Sequence, residues 1–185
     1  QENAALRKHL IFSREAQIEN ERLRGQLSFK SAAPNFQLLS AEVIGYDPSN
    51  VLQFLIVDRG ASDGIEMGMP VLSAGGLVGR ISQVSAASAK VMLITDPSSS
   101  VSAAIQRSRA TGIVQGRAGG GLVMRYIPQG ETVSPGDVVL TSGLGGNFPK
   151  RLVIGQVASV TAEDVGMFQN ATVVPGVGLR ELEAV

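Results

Sequence analysis

The sequence has no cysteine and no tryptophan, and it contains one histidine among its 185 residues. Without cysteine, neither a disulfide framework nor a thiolate metal site can form. Aromatic residues make up 4% of the chain, whereas glycine and proline contribute 22 and 8 residues. This balance favours many short strands joined by tight turns over long helices. The composition therefore predicts a turn-rich β protein.

An excess of charge of either sign is also missing, and so are long apolar runs. Sixteen basic residues balance sixteen acidic ones, and because nucleic-acid binding depends on concentrated positive charge, we expect no nucleic-acid partner. No apolar run approaches the roughly 20 residues that span a bilayer, and no signal peptide is visible. The chain starts abruptly with Gln1-Glu2-Asn3 inside a helical pattern, which indicates a piece of a longer protein.

Residues 1–31 are predicted to form a helix, because they lack proline and are rich in strong helix formers. The pattern Glu-Asn-x-x-Leu-Arg-x-x-Leu-x-Phe occurs twice there, starting at Glu2 and Glu19. Its Asn, Leu and Leu follow each other at intervals of three and then four, which is typical of a dimeric coiled-coil seam. A single amphipathic helix lying on its own domain is the alternative. The predicted seam consists of Asn3, Leu6, Leu10, Asn20, Leu23 and Leu27.

From residue 36 onwards the sequence consists of short apolar stretches separated by Gly, Pro and Asp turns. Residues 68–81 read as a glycine turn, a strand, a two-glycine hairpin turn and a second strand. Part of this unit occurs again later in the chain, which predicts two related β modules. The repeat matches Gly68, Val71, Leu72 and Ser73 with Gly136, Val139, Leu140 and Thr141.

We therefore predict a mainly β fold in which a coiled-coil helix is followed by two small related six-stranded β-barrels. Closure into barrels removes exposed sheet edges, which are prone to aggregate. The predicted boundaries are 1–31 for the helix, 36–98 for the first barrel and 99–185 for the second. The C-terminal strand, 171–185, is a candidate to complete the first barrel.

Tandem small barrels are also found in chymotrypsin-like proteases, which need a histidine base beside a nucleophile. The only histidine, His9, belongs to the N-terminal helix, and neither a Ser-x-x-Lys dyad nor a Gly-x-Ser-x-Gly elbow occurs. Asp58 and Asp63 lack the alternating ligands of a calcium loop and are interpreted as turn residues. We predict barrels without a catalytic site, a cofactor or a metal.

One loop distinguishes the second copy of the repeat, because residues 143–150 are inserted where the first copy has only Ala74-Gly75-Gly76. A phosphate-binding P-loop would place Gly before Lys and a helix after it. Here Lys150 follows Pro149 and precedes a strand pattern, which argues against phosphate binding. The loop is either purely structural or a partner-binding loop with an exposed phenylalanine. The partner-binding hypothesis names Leu144, Asn147, Phe148 and Lys150.

A series of short motifs runs in order along nearly the whole chain, and together they are far more specific than any one of them. The series resembles the MreC family of bacterial rod-shape-determining proteins. The motifs are Asp47-Pro48-Ser49, Asp58-Arg59-Gly60, Gly68-Met69-Pro70-Val71-Leu72, Gly76-Leu77-Val78-Gly79-Arg80, Pro135-Gly136-Asp137, Thr141-Ser142-Gly143-Leu144 and Phe148-Pro149.

The resemblance implies a protein anchored by a transmembrane helix that this sequence does not include, with a coiled coil and two barrels on the periplasmic face of the bacterial inner membrane. The barrels of the family resemble those of chymotrypsin without its active-site residues. The implied function is that of a non-enzymatic scaffold of the cell-elongation complex, which controls cell shape. Such a scaffold self-associates as a dimer or filament, and it binds and activates the class B penicillin-binding transpeptidase for side-wall peptidoglycan synthesis, in an assembly with MreD, RodA and MreB.

Two other classes of protein are compatible with the barrels. An envelope module that binds peptidoglycan, or a wall enzyme, would use a barrel groove. A β-barrel spike protein would form trimers rather than dimers.

Overall fold

The computed structural model describes residues 14–15, 36–47, 53–162, 166–179 and 182–185. The predicted coiled-coil helix, with its six seam residues, lies outside this part of the chain apart from Arg14 and Glu15. The coiled coil therefore stays a prediction. Residues Ser40–Val185 form one compact unit. Its strands are β1 Val43–Tyr46, β2 Phe54–Val57, β3 Pro70–Ser73, β4 Gly76–Val84, β5 Ala89–Leu93, β6 Ser100–Ile105, β7 Thr111–Gly116, β8 Leu122–Pro128, β9 Val138–Thr141, β10 Val153–Ala162 and β11 Phe168–Pro175.

The second module is a closed six-stranded barrel in the order β10-β11-β8-β7-β6-β9. Antiparallel pairing of β6 with β9, for example Ala103 opposite Thr141, closes it. Alternate residues of each strand point inward, and the barrel is filled by fully buried aliphatic side chains such as Ile105, Leu122 and Ile154. The predicted mainly β fold and one six-stranded barrel are confirmed.

The first module differs from the prediction, because its described strands form a five-stranded sheet in the order β1-β2-β5-β4-β3. A second closed barrel is therefore not confirmed. The C-terminal residues 183–185 lie beside β1, where the Ala41 N–H donates to the Val185 carbonyl oxygen at 2.9 Å and the Val185 N–H donates back at 2.9 Å. This segment is the only candidate for a sixth strand among the described residues, and no pairing between it and β3 is described there.

The two modules nevertheless share the same spatial order of strands. Starting from the C-terminal segment, the first runs through β1, β2, β5, β4 and β3, and the second runs through β6, β7, β8, β11, β10 and β9 in the same order. In both modules three hairpins join equivalent pairs of strands, and one crossover connects the third strand to the sixth; the β6–β7 hairpin of the barrel has no counterpart, because the C-terminal segment reaches β1 from the far end of the chain. The C-terminal segment therefore occupies the position that β6 has in the barrel.

Equivalent hydrogen bonds support the predicted repeat. The Gly68 N–H donates to the Ile81 carbonyl oxygen at 2.8 Å, and the Gly136 N–H donates to the Val157 carbonyl oxygen at 2.7 Å. Both glycines have a positive φ, 89° and 90°, which only glycine adopts without strain. Each opens the strand that leads into its module's hairpin, so the repeated sequence forms the same local structure twice.

The two-glycine turn of the first copy forms a joint between the modules. A Cβ atom on Gly75 or Gly76 would overlap the backbone oxygens of Gly176 and Val153, which belong to the barrel. Glycine is required here because two backbones approach each other with no room for a side chain. The turn at Gly75 and Gly76 therefore has a structural role in joining the modules.

The linker between the modules is fixed by a buried carboxylate. Asp96 accepts a hydrogen bond from the Gln53 N–H at 2.9 Å and another from the Ser98 N–H at 2.7 Å. Beside it, the Thr95 hydroxyl donates to the Gln53 side-chain oxygen at 2.8 Å. The Asp-Pro-Ser turn that ends the first module is thereby tied to β2.

Replacing Asp96 with alanine removes the acceptor of two backbone N–H groups, one of them buried. We expect the free energy of unfolding to fall by about 3 kcal/mol, since each buried donor left without a partner costs about 1–3 kcal/mol. Asp63→Ala is the matched control, because Asp63 also accepts a backbone N–H, that of Gly60 at 3.0 Å, but is exposed. Water replaces that bond, so the control should lose less than about 1 kcal/mol in urea unfolding. Equal losses would contradict this role of Asp96.

Candidate protein-interaction site

The register of the barrel separates two ends. At one end, called the near end, Val153 of β10 lies opposite Leu140 of β9, and Val173 of β11 lies opposite Leu122 of β8. This end carries the joint with the first module. At the other end, called the far end, Phe168 lies opposite Pro128. The joint with the first module therefore lies at the near end of the barrel.

The far end carries an exposed apolar cluster, the far-end patch, made of Tyr126, Met167 and Phe168. Tyr126 is 54% exposed and Met167 is 79% exposed. The rings of Tyr126 and Phe168 pack edge to face, with their centroids 5.9 Å apart and their planes at 85°. Single exposed apolar residues are ordinary, but an ordered aromatic pair with a flexible methionine beside it is typical of interaction surfaces.

The backbone holds Tyr126 in a costly conformation. Its φ of 59° is left-handed, which costs a residue with a side chain about 1–2 kcal/mol. The reason is a bulge in β8: Ile127 is opposite Gln169 and Met124 is opposite Ala171, so Arg125 and Tyr126 share one position and are both exposed. The bulge thus keeps the Tyr126 ring at the surface of the barrel.

Hydrogen bonds across the far end fix the patch. The Gln129 N–H donates to the Met167 carbonyl oxygen at 3.0 Å. The Gln169 side-chain amide donates to the carbonyl oxygens of Pro128 at 3.1 Å and Glu131 at 2.7 Å. The Met167 backbone is thus held while its side chain projects, so the patch is preorganised, which lowers the entropy cost of binding.

An ion pair holds the end of the crossover from β8 to β9. The Arg107 guanidinium lies on Asp137 with two contacts, 2.9 Å from Nε to Oδ1 and 3.0 Å from Nη2 to Oδ2. Asp137 also accepts the Ser134 N–H at 2.9 Å. The hydrogen bond from Arg107, followed by that from Ser134, lowers the pKa of the Asp137 carboxyl although burial opposes the shift. The Arg107 guanidinium is therefore paired with a carboxylate.

This ion pair predicts a pH-dependent contribution to stability. Because the pKa of Asp137 is lower in the folded chain than in the unfolded chain, its contribution is complete above the usual carboxyl pKa of about 4 and is lost as the pH falls through the lowered folded value. We expect Arg107→Gln to reduce the urea midpoint at neutral pH and to converge with the wild type at the acid end. Arg117→Gln, at another exposed arginine, is the control, and a constant difference at every pH would argue against the ion pair.

The loop at 143–150 corrects one expectation. The partner-binding alternative places an exposed Phe148 in this loop, but Phe148 is 7% exposed and belongs to the hydrophobic core, where its ring anchors the loop. Thr141 closes the base of the loop, since its hydroxyl donates to the Pro149 carbonyl oxygen at 2.5 Å and accepts the Leu152 N–H at 2.9 Å. Leu144 at the tip is 61% exposed. Asn147 and Lys150 are exposed as well, and partner binding by this loop stays a prediction.

The other candidate residues have structural roles. Asp58 accepts the Glu42 N–H at 2.8 Å and pairs with Arg59 at 3.0 Å, and Asp63 caps a short 3-10 helix, so both are turn residues as predicted. His9 lies outside the described residues. Within the described ranges, no three His, Asp or Glu side chains are grouped to hold a metal ion. None of the helices described there has the length and apolar character needed to cross a membrane.

Sequence reasoning missed the far-end patch. Phe168 and Val174 fall on the outward positions of β11, and that alternation could have been read from the sequence. The orientation of Tyr126 could not, because the bulge in β8 shifts the alternation by one residue.

Fold and surface together define a class of protein: a tandem-module β protein built on a closed barrel, with an ordered apolar patch at its free end. The family model described as "Rod shape-determining protein MreC, barrel core" matches residues 43–185. The chain belongs to the MreC family of rod shape-determining proteins.

Individual relatives agree with this assignment. The cell shape-determining protein MreC of Listeria monocytogenes is 33% identical over 172 residues, covering 90% of this chain and 58% of its own length. The protein of the same name from Cereibacter sphaeroides is 35% identical over 68% of this chain and 42% of its own length. The chain thus spans about half the length of these curated relatives.

Solved structures are similar as well. MreC from Pseudomonas aeruginosa superimposes with a TM-score of 0.77 at 30% identity, over 80% of this chain and 97% of that one. A structure described as the major periplasmic domain of the cell shape-determining filament MreC gives a TM-score of 0.69 at 28% identity, over 79% of this chain and 91% of that one. MreC from Helicobacter pylori, in a complex with penicillin-binding protein PBP2, shares the fold with a TM-score of 0.60 at 18% identity, over 73% of this chain and 84% of that one.

Proposed function

We propose that this chain is the extracytoplasmic part of a non-enzymatic scaffold that determines cell shape by binding a class B penicillin-binding transpeptidase. Support for the partner comes from the Helicobacter pylori relative, whose structure is a complex with PBP2. Support for the location comes from the relative whose structure is described as a major periplasmic domain. Membrane anchoring by a transmembrane helix, and assembly with MreD, RodA and MreB, are part of the same proposal through the family resemblance.

The observation that carries the proposal is the far-end patch. A non-enzymatic scaffold acts through contact surfaces, and this patch offers an aromatic pair whose rings are already ordered. Aromatic residues and methionine are enriched at the centres of protein interfaces. A transpeptidase segment that packs on this patch would bind one conformation of the enzyme in preference to others, which is how a scaffold can activate its partner.

The loop at 143–150 is proposed as a second contact. Leu144 projects from a turn in which Gly143, Gly145 and Gly146 all have positive φ. The buried Phe148 and the bonds of Thr141 hold this turn in place, so a leucine is presented on a rigid base. Asn147 and Lys150 would then form the polar rim of the contact.

We expect Tyr126→Gly to weaken binding to the purified transpeptidase ectodomain at least tenfold, measured by calorimetry or surface plasmon resonance. The ring is lost from the interface, whereas stability should change by less than about 1 kcal/mol, because relief of the left-handed strain offsets the lost aromatic contact. Phe168→Ser should reduce affinity similarly. Val174→Ser, at an exposed apolar residue at the other end of β11, should bind like the wild type.

Leu144→Ser tests the loop in the same binding assay. A loss comparable with that of Tyr126→Gly would assign both ends of the barrel to the interface, and unchanged affinity would remove the loop from it. Phe148→Ala is unsuitable for this purpose, because truncating a buried phenylalanine costs about 3–5 kcal/mol of stability. If none of the patch variants alters affinity, the patch is not the contact surface.

The coiled coil is proposed to hold two copies together. We expect a chain lacking residues 1–33 to sediment with a lower mean mass than the intact chain at equal concentration, since the predicted seam is removed. Substituting the seam positions Leu6 and Leu23 with alanine in the intact chain is the milder test. Equal mass of all three proteins would contradict the role of the helix.

A further inference from the structure

The outer face of the five-stranded sheet combines apolar side chains with unpaired cations. The five strands β1–β5 contain no Asp or Glu and two cations, Arg80 and Lys90. Strand register puts these cations on one face with their neighbours: Phe54 lies opposite Met92, Met92 opposite Arg80, and Ile56 opposite Lys90. We name this the outer sheet face: Phe54, Ile56, Pro70, Arg80, Lys90 and Met92.

The other side of these strands is buried, so the outer sheet face is the solvent side of the module. Leu55 and Val91, which alternate with the residues named above, are fully buried in the core. The Lys90 ammonium lies 3.9 Å from the centre of the Phe54 ring, and this keeps its charge over the apolar surface. Within the described residues neither Arg80 nor Lys90 has an ion-pair partner, so the face has uncompensated positive charge.

The same module carries a complementary surface on the crossover from β2 to β3. Asp63 and Glu66 are exposed there, and Met67 between Glu66 and β3 is 72% exposed. We name these three residues the acidic loop. It presents a flexible apolar side chain flanked by carboxylates, which matches a face of apolar side chains flanked by cations.

We propose that the outer sheet face binds the acidic loop of a second copy of this chain. The inference names the surfaces for the self-association included in the proposed function and rests on that part of it, but it does not depend on transpeptidase binding. Met67 would pack on Phe54 and Met92, with Glu66 beside Lys90. Because face and loop are different surfaces, the contact is heterologous and can repeat from copy to copy. Repetition of this kind produces an open assembly, in keeping with the relative that is described as a filament.

Charge reversal in the full chain tests the contact by sedimentation velocity over a range of concentrations. Lys90→Glu and Glu66→Lys should each weaken association at least tenfold, since either change opposes like charges across the contact. A mixture of the two variants should associate again, because the reversed face of one meets the reversed loop of the other. Association of the wild type should also weaken as salt rises.

Controls separate this contact from other effects. Arg117→Glu reverses an exposed charge on a barrel turn and should associate like the wild type. Lys90→Met keeps the aliphatic stem and removes the charge, so a folded but weakened variant shows that the charge matters. Unchanged association of both reversed variants, or failure of their mixture to recover, overturns the inference and points to another occupant of the face. Affinity for the transpeptidase, measured in parallel, should equal that of the wild type in all of these variants. Failure of self-association therefore overturns this inference alone, whereas loss of transpeptidase binding would bear on the proposed function.

Discussion

Close approach of backbone to backbone is the constraint on which this architecture depends. Gly79 in β4 and Gly155 in β10 occupy equivalent positions, and in each a Cβ atom would overlap a carbonyl oxygen of the neighbouring strand. The strands can coil tightly at these points because no side chain intervenes. The same condition recurs between the modules, at Gly75 and Gly76, so glycine governs both the curvature of each module and the way the two are joined.

Much of the fold could be predicted because the repeat encodes local structure directly. Gly68 and Gly136 open equivalent strands with the same φ and the same cross-strand hydrogen bond, and a pattern that occurs twice predicts such a unit twice. Whether the first module closes could not be predicted, since its sixth position is filled by a segment distant in sequence, whose pairing no local pattern encodes. The candidate site was harder to predict from the sequence. Phe148 lies in a loop but is buried by packing, and Tyr126 lies at an inward position of the strand alternation but is exposed because of the bulge.

The two modules present different surfaces to solvent. The barrel closes on itself through β6 and β9, which removes its edges and leaves only side chains at its surface for recognition. Its strands carry a single charged residue, Arg125, so recognition there depends on apolar and aromatic contact. The first module carries cations on its outer sheet face instead. One strand order thus presents an apolar surface in one module and a basic, apolar surface in the other.

The bulge in β8 explains the left-handed conformation of Tyr126. Tyr126 would lose its left-handed conformation if the bulge in β8 were absent, and regular pairing would then turn its side chain to the opposite face of the strand. The interior is already filled by Met124 and Ile127 on the same strand, both fully buried, so an inward tyrosine has no space. Exposure of the ring is therefore built into the barrel by packing on one side and by the bulge on the other. A surface aromatic held in this way is available to a partner without any rearrangement of the core.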